Sequence, residues 1–179
     1  MKSKSIITLI TIATFLQIFA LKAEQKSLDS LEVKVMTSAG YSFGTIDLLL
    51  NLSEAYLNQQ PQRTLDLANN ALELATALND PSRQARSLFL IAEANRMKGE
   101  NVIAFDYYFR SKKIFDQVTD KEGLAKCANS MGSVYILLGD YTSALDFHLT
   151  ALHFYEDLDN NLGIASSLIN SGVAYAKLG

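Results

Sequence analysis

The sequence predicts an all-α fold, a stack of antiparallel helix pairs, and three observations predict it. First, stretches of the chain realign on themselves at a fixed spacing. Gly123–Gly139, GLAKCANSMGSVYILLG, sets over Gly163–Gly179, GIASSLINSGVAYAKLG, at an offset of 40 residues, and Gly123, Ala125, Gly132, Tyr135, Leu138 and Gly139 all find identical partners. One register kept over so many positions marks a repeat architecture. Second, small and apolar residues inside each copy recur at i, i+3, i+4 and i+7, which is one face of an α-helix. Third, no segment alternates apolar and polar residues as a half-buried strand would, and the two prolines, Pro61 and Pro81, both fall between periodic segments.

Taken in order, residues 1–23 read as an export signal. Lys2 and Lys4 make a short basic start, Ile6 to Leu21 is apolar apart from threonines and Gln17, and Leu21-Lys22-Ala23 puts a small residue before Glu24. An uncleaved signal anchor is the alternative. A membrane-spanning helix wants ~20 apolar residues, and this run is shorter and diluted by hydroxyls, which favours cleavage. Either way the basic end stays inside and residue 24 onward lies outside the cytoplasm, so the chain is read as exported, periplasmic or on the outer face of the cytoplasmic membrane. No cysteine follows the apolar run to carry a lipid anchor. Residues 24–41 read as a leading helical segment or linker, with Leu28, Leu31 and Val35 on one face.

Residues 42–179 read as the repeat array. Its first unit places Leu49, Leu52, Ser53 and Tyr56 on one helix face, after one residue is dropped near Gln60 to hold the frame. The next first helix repeats the face as Leu88, Ile91, Ala92 and Asn95, the third as Ala128, Met131, Gly132 and Tyr135, and the fourth as Leu168, Ser171, Gly172 and Tyr175. The third member is always small, which lets a partner helix approach closely. Between them lie second helices, whose register shows in Leu65, Phe105 and Leu145, in Asp66, Asp106 and Asp146, and in Ala104 with Ala144. Ala144, Leu145, His148, Ala151 and Leu152 carry helical spacing in the last of these. Gly99 and Gly139 read as C-caps needing positive φ, Asp140 as an N-cap, and Asp80-Pro81-Ser82 as a boundary.

The stretch GSVYILLGDYTSAL, Gly132 to Leu145, resembles the tetratricopeptide repeat: a small residue, an aromatic three on, then Leu-Gly-Asp-Tyr and Ala-Leu. The resemblance covers residues 42–179, as three full units and the first helix of a fourth. The 40-residue period exceeds the ~34 usual for the family, so the chain looks like its long-helix variant. Asn95 stands where an aromatic is expected, Ala68 where a bulky second-helix residue is expected, and no unit carries the terminal proline. The resemblance implies a right-handed superhelix whose concave side, lined by first helices, binds protein or peptide segments. Groove-facing positions by that analogy are Asp47, Asn51 and Glu54, then Arg86, Glu93 and Arg96, then Lys126, Asn129, Ser130 and Ser133, then Asn170. The paired Lys and Asn that clamp a carboxylate tail in one subclass are not matched.

Composition and motifs narrow the function further. Without Lys2, Lys4 and Lys22 the chain has 13 basic residues against 19 acidic ones, a formal net charge of −6, and no basic run to hold nucleic acid or an anionic membrane. Membrane contact is expected only through the leader or through a helix beyond residue 179. Cys127 is the only cysteine and reads as a packed small hydrophobe. His148 and His153 are five apart on one helix, turned about 140° from each other, so they do not chelate one metal; a core histidine and a surface one are expected. Glu156, Asp157 and Asp159 lack the pattern of a calcium loop. There is no phosphate-binding glycine loop, GxSxG elbow or HExxH, and no cofactor or catalytic residue is read. Tyr107, Tyr108, Phe109 and Phe115 read as core and inter-repeat packing. Leu168, Val173 and Tyr175 lack the second helix that would cover them. That suggests an amino-terminal portion of a longer protein, resembling the sensor regions of bacterial membrane signalling proteins followed by a kinase, cyclase or DNA-binding output.

Overall fold

Ser42 opens the ordered array by accepting the backbone N–H of Thr45 at 3.1 Å, the hydrogen bond that starts an α-helix. The structure, a computed structural model, describes residues 42–179. The leader at 1–23 and the helix read at 24–41 lie outside the described residues. Among the described residues there are helices and turns and no strand. The helices are α1 (Phe43–Tyr56), α2 (Pro61–Ala77), α3 (Pro81–Met97), α4 (Asn101–Gln117), α5 (Lys121–Leu138), α6 (Tyr141–Asp157) and α7 (Asn161–Leu178). They pair as the 40-residue register requires: α1, α3, α5 and α7 are first helices, and α2, α4 and α6 are second helices.

Local chemistry sets the boundaries. Pro61 and Pro81 occupy the first turns of α2 and α3, where a missing N–H costs nothing. Asp80, Asp120 and Asn160 each cap a first helix by accepting the N–H three residues on, from Arg83, Gly123 and Gly163. The residue before each cap turns into the left-handed region, with φ of 52° at Asn79, 56° at Thr119 and 51° at Asp159. The cap N–H then reaches back to the carbonyl of Ala75, Phe115 or Tyr155 at 2.9 Å, closing the second helix. Gly99 and Gly139 end α3 and α5 with φ of 80° and 79°, and Asp140 caps α6 through the Ser143 N–H at 3.1 Å, as the sequence predicts.

Each helix packs on the next, and each first helix also touches the following first helix, whereas the second helices do not touch one another. The stack therefore curls around its first helices, and the concave side is theirs. The core follows the predicted face. Leu49, Leu52, Ser53, Tyr56, Leu88, Ile91, Ala92, Asn95, Ala128, Met131 and Gly132 are buried. Tyr135 is half-buried between Phe105 and Phe147, with ring centroids 5.4 Å away on either side. Three glycines make room for rings. A Cβ at Gly132 would stand 2.7–2.9 Å from three atoms of the His148 imidazole, so that ring lies face-on against the glycine. A Cβ at Gly123 would overlap Phe115, and one at Gly163 would overlap Tyr155, the same pair one repeat later.

One core expectation, for Phe109, is corrected. Phe109 is 58% exposed on the outside of α4, while Tyr108 and Phe115 are buried. Leu168 and Tyr175 of α7 are 53% and 58% exposed, and a Cβ added at Gly172 would meet nothing within 4 Å, because no second helix among the described residues lies over them. Cys127 is buried with its Sγ 3.6 Å from Ser111 Oγ, and burial pushes its thiol pKa up to about 12, which makes it a packing group.

Candidate functional site

The concave wall begins with charges on α1 and α3. Arg83 donates through Nε and Nη2 to the two oxygens of Asp47 at 2.8 and 2.7 Å, and a third bond reaches Asp80. These bonds hold the Asp47 carboxyl below the ordinary carboxylate range. Arg86 spans from Glu54 at 3.4 Å to Asp47 at 4.0 Å. Lys126 on α5 pairs with Glu122 at 2.8 Å, one turn earlier, and lowers its pKa. Such exposed pairs contribute about 0–1 kcal/mol each, so they leave the groove adaptable. Glu54, Arg86, Glu122 and Lys126 stand around a hollow of about 550 Å³, which Leu57, Phe89 and Phe115 line with apolar surface.

Further along, Glu93 is drawn into the fold. It is 6% exposed and accepts from Tyr108 Oη at 2.6 Å, Ser130 Oγ at 2.5 Å and Arg96 Nη2 at 2.7 Å. Burial and the Glu93 charge push the Tyr108 hydroxyl far above its ordinary pKa, so it stays a donor. Glu93 thus ties α3 to α4 and α5 rather than facing a ligand, and it fixes the Arg96 guanidinium at the rim.

Next to it lies a second polar knot. Asn129 Oδ1 is 2.9 Å from His148 Nδ1 and accepts from Asn170 Nδ2 at 3.1 Å, while Asn129 Nδ2 donates to Ser166 Oγ at 3.4 Å. An oxygen at that place requires the proton on Nδ1. His148 is fully buried on α6, and desolvation lowers its pKa, so the ring is neutral near pH 7. Its Nε2 has no hydrogen-bond partner among the described residues. Arg96, Ser133, Ile136, Leu137, His148, Asn170 and Val173 line a second hollow of about 200 Å³.

The predicted groove residues therefore divide. Glu54, Arg86 and Lys126 meet at the first hollow, and Arg96, Ser133 and Asn170 at the second. Asp47 anchors Arg83, Asn51 is exposed on α1, Asn129 and Ser130 are half-buried within the polar knots, and Glu93 is buried. Glu122 and the floor formed by His148 were not among the predicted site residues. Glu122 is the Lys126 partner one turn back, a spacing open to sequence reading; the buried place of His148 depends on packing between helices. Among the described residues, no three His, Cys, Asp or Glu side chains come together to hold a metal, and no helix is long and apolar enough to cross a membrane.

No protein-family model and no curated protein matches the sequence. Solved structures do match in fold. A Rap protein complexed with Competence and Sporulation Factor is 20% identical with a TM-score of 0.79, over 90% of this chain and 46% of that one. The tetratricopeptide domain of Arabidopsis FLU is 23% identical with a TM-score of 0.58, over 63% of this chain and 95% of the domain. A signal transduction ATPase with numerous domains from Pyrococcus horikoshii, bearing a tetratricopeptide repeat sensor, is 14% identical with a TM-score of 0.71, over 87% of this chain and 24% of that one. The chain spans less than half the length of the Rap protein. At these identities the likeness is one of fold: the described residues form an all-α helical-repeat solenoid, similar to the tetratricopeptide domain of FLU.

Proposed function

We propose that the chain is a binding scaffold whose concave face holds a segment of another protein or a peptide, with no covalent chemistry of its own. One observation carries this reading. Each hollow is lined by polar residues from three successive first helices, Glu54, Arg86, Glu122 and Lys126 in one and Arg96, Ser133 and Asn170 in the other. A chain laid across the stack meets them in turn, and the mix of both charges with amides suits polar readout of such a segment. The Rap protein, complexed with Competence and Sporulation Factor on a similar fold, supports it. The test is selection of peptides from a displayed random library, followed by calorimetry on the full chain. The double variant Arg86→Ala/Lys126→Ala should weaken the selected peptides about tenfold, the scale of two lost polar contacts. Unchanged affinity there, with loss in the outer-face variant Arg110→Ala/Lys113→Ala, would place binding on the convex side and end the proposal.

A second reading extends the first: the scaffold is an exported sensor input of a larger signalling protein. The leader features at residues 1–23 support export, and the tetratricopeptide repeat sensor of the Pyrococcus horikoshii ATPase supports the sensor role. Cell fractionation of the chain with and without residues 1–23 tests export. Recovery of both forms in the cytoplasm would reject it.

A further inference from the structure

The second helices α2 and α4 do not touch, and between them, on the outer side of the stack, lies a hollow of about 440 Å³. One face of α4 makes its longer wall: Arg110, Lys113, Ile114 and Gln117 stand at i, i+3, i+4 and i+7 and so point the same way. Leu72 and Thr76, one turn apart on α2, make the opposite wall, and Gln84 and Leu88 of α3 make the floor. Solvent reaches the walls. Thr76, Arg110, Lys113 and Gln117 are exposed, and Leu72, Ile114 and Gln84 are half-buried.

Charge at this place runs against the rest of the chain. Outside the leader, acidic residues outnumber basic ones 19 to 13, yet both charged residues lining the hollow are cations. At the same register stand Asn70 and Glu73 one repeat earlier, and Thr150 and His153 one repeat later, so helix packing does not call for cations there. The two are lightly compensated. Arg110 approaches Asp106 at 3.8 Å and lies over the Tyr107 ring at 4.9 Å, and Lys113 has no ion pair among the described residues. Three apart on one helix, they are neighbours of like charge, and an anion set between them relieves their repulsion.

The other groups say which anion. The Thr76 hydroxyl donates to the Leu72 carbonyl at 2.7 Å, and Gln84 Nε2 donates to the Ala75 carbonyl at 3.2 Å. Their oxygens therefore remain to accept backbone N–H groups. Leu72 and Ile114 offer apolar surface from the two walls. A nucleic-acid strand, which binds by neutralising many phosphates, would meet two cations in an acidic body and leave the acceptors and the apolar surface unused. An acidic stretch of polypeptide uses all three.

We propose that the outer hollow between α2 and α4 docks an acidic segment of another protein, its carboxylates held by Arg110 and Lys113 and an aliphatic side chain lying between Leu72 and Ile114. This surface is separate from the concave groove, and neither depends on the other.

The test uses the full chain and three fluorescent probes read by anisotropy: a short capped peptide of alternating glutamate and leucine, its counterpart with lysine for glutamate, and a short oligothymidylate. The acidic peptide should bind in a saturable way, about tenfold more tightly than either of the others, as complementary charge requires. The variant Arg110→Glu/Lys113→Glu should weaken it by about tenfold or more. Thr76→Glu, which puts a carboxylate in the opposite wall and leaves both cations in place, should weaken it as well. Circular dichroism and melting should show the helices intact in each variant, since all three positions are exposed. Arg86→Ala/Lys126→Ala should leave the acidic peptide unaffected. No binding of that peptide, equal binding of the lysine peptide, tighter binding of the oligothymidylate, or an affinity unmoved by either glutamate variant would each overturn the docking surface. Library peptides that depend on Arg86 and Lys126 report on the concave groove alone, so either surface can fail while the other stands.

Discussion

Gly132 and Gly172 occupy the same register position in surroundings that differ sharply. Over Gly132 lies the His148 ring, 2.7–2.9 Å from where a Cβ would be, and around Gly172 there is open space within 4 Å. Alanine favours a helix over glycine by about 1 kcal/mol, and forcing a carbon into a filled site costs about 1–3 kcal/mol. Gly132→Ala should therefore destabilise the chain by up to about 2 kcal/mol net, because the ring must leave Asn129. Gly172→Ala should stabilise it by up to ~1 kcal/mol. Urea midpoints of the two variants, measured together, check both signs. The same ring gives a pH dependence. Its folded pKa is lowered by desolvation, while in the unfolded chain it returns to about 6.5. As pH falls below about 6.5 the unfolded state takes up a proton that the native state refuses, so His148 contributes full stability above that value and progressively less below it. Urea midpoints between pH 7.5 and 5.5 should fall for the wild type with a slope that His148→Phe reduces.

Among the helices, the turns that end the second ones show how far the sequence could be read. Asn79, Thr119 and Asp159 share one left-handed position, yet threonine is β-branched and disfavoured there. Thr119 is exposed, so Thr119→Asn removes little packing and should raise stability by about 0.5–1 kcal/mol, seen as a higher melting temperature. A lower one would mean that the Thr119 hydroxyl, bonded to the Val118 carbonyl at 2.7 Å, outweighs the backbone preference. Asp80-Pro81-Ser82 announced its boundary through residue chemistry, and Gly99 and Gly139 announced theirs. Asp120 and Asn160 become caps by register, 40 and 80 residues after Asp80, with no proline beside them. The ring-on-glycine pairs were half legible: Gly123 and Gly163 realigned at once, but their use by Phe115 and Tyr155 is a matter of helix-to-helix distance. At the groove, the resemblance to tetratricopeptide repeats pointed to Glu54, Arg86, Lys126, Arg96, Ser133 and Asn170, which line the two hollows. It could not reveal that Glu93 is buried, because its partners Tyr108 and Ser130 stand 15 and 37 residues further along.

For the whole solenoid, stability is a sum over neighbours, each helix pair contributing its own packing and the interfaces on either side. Interior first helices have partners on both flanks: α3 touches α1, α2, α4 and α5. Among the described residues, α7 packs only on α6 and, more thinly, on α5. Its buried residues are Ser167, Ser171 and Ala174, small side chains that bring little hydrophobic burial, whereas α3 buries Leu88, Leu90 and Ile91. Each large side chain fully buried contributes about 1.5–3 kcal/mol, so α7 is held by several kcal/mol less than α3. Local opening then precedes global unfolding at that helix. Native-state hydrogen exchange should find the amides of α3 and α5 exchanging at the global unfolding free energy, and those of α7 exchanging faster through an opening that leaves the rest folded. A ligand bridging Arg96, Ser133 and Asn170 would slow α7 in particular, since Asn170 lies on it and Arg96 does not. Equal protection of α3 and α7 without ligand would show that the array unfolds as one block, and that the Asn129–Asn170 bond at 3.1 Å, with the apolar contacts of α6, holds the last helix as firmly as the interior ones.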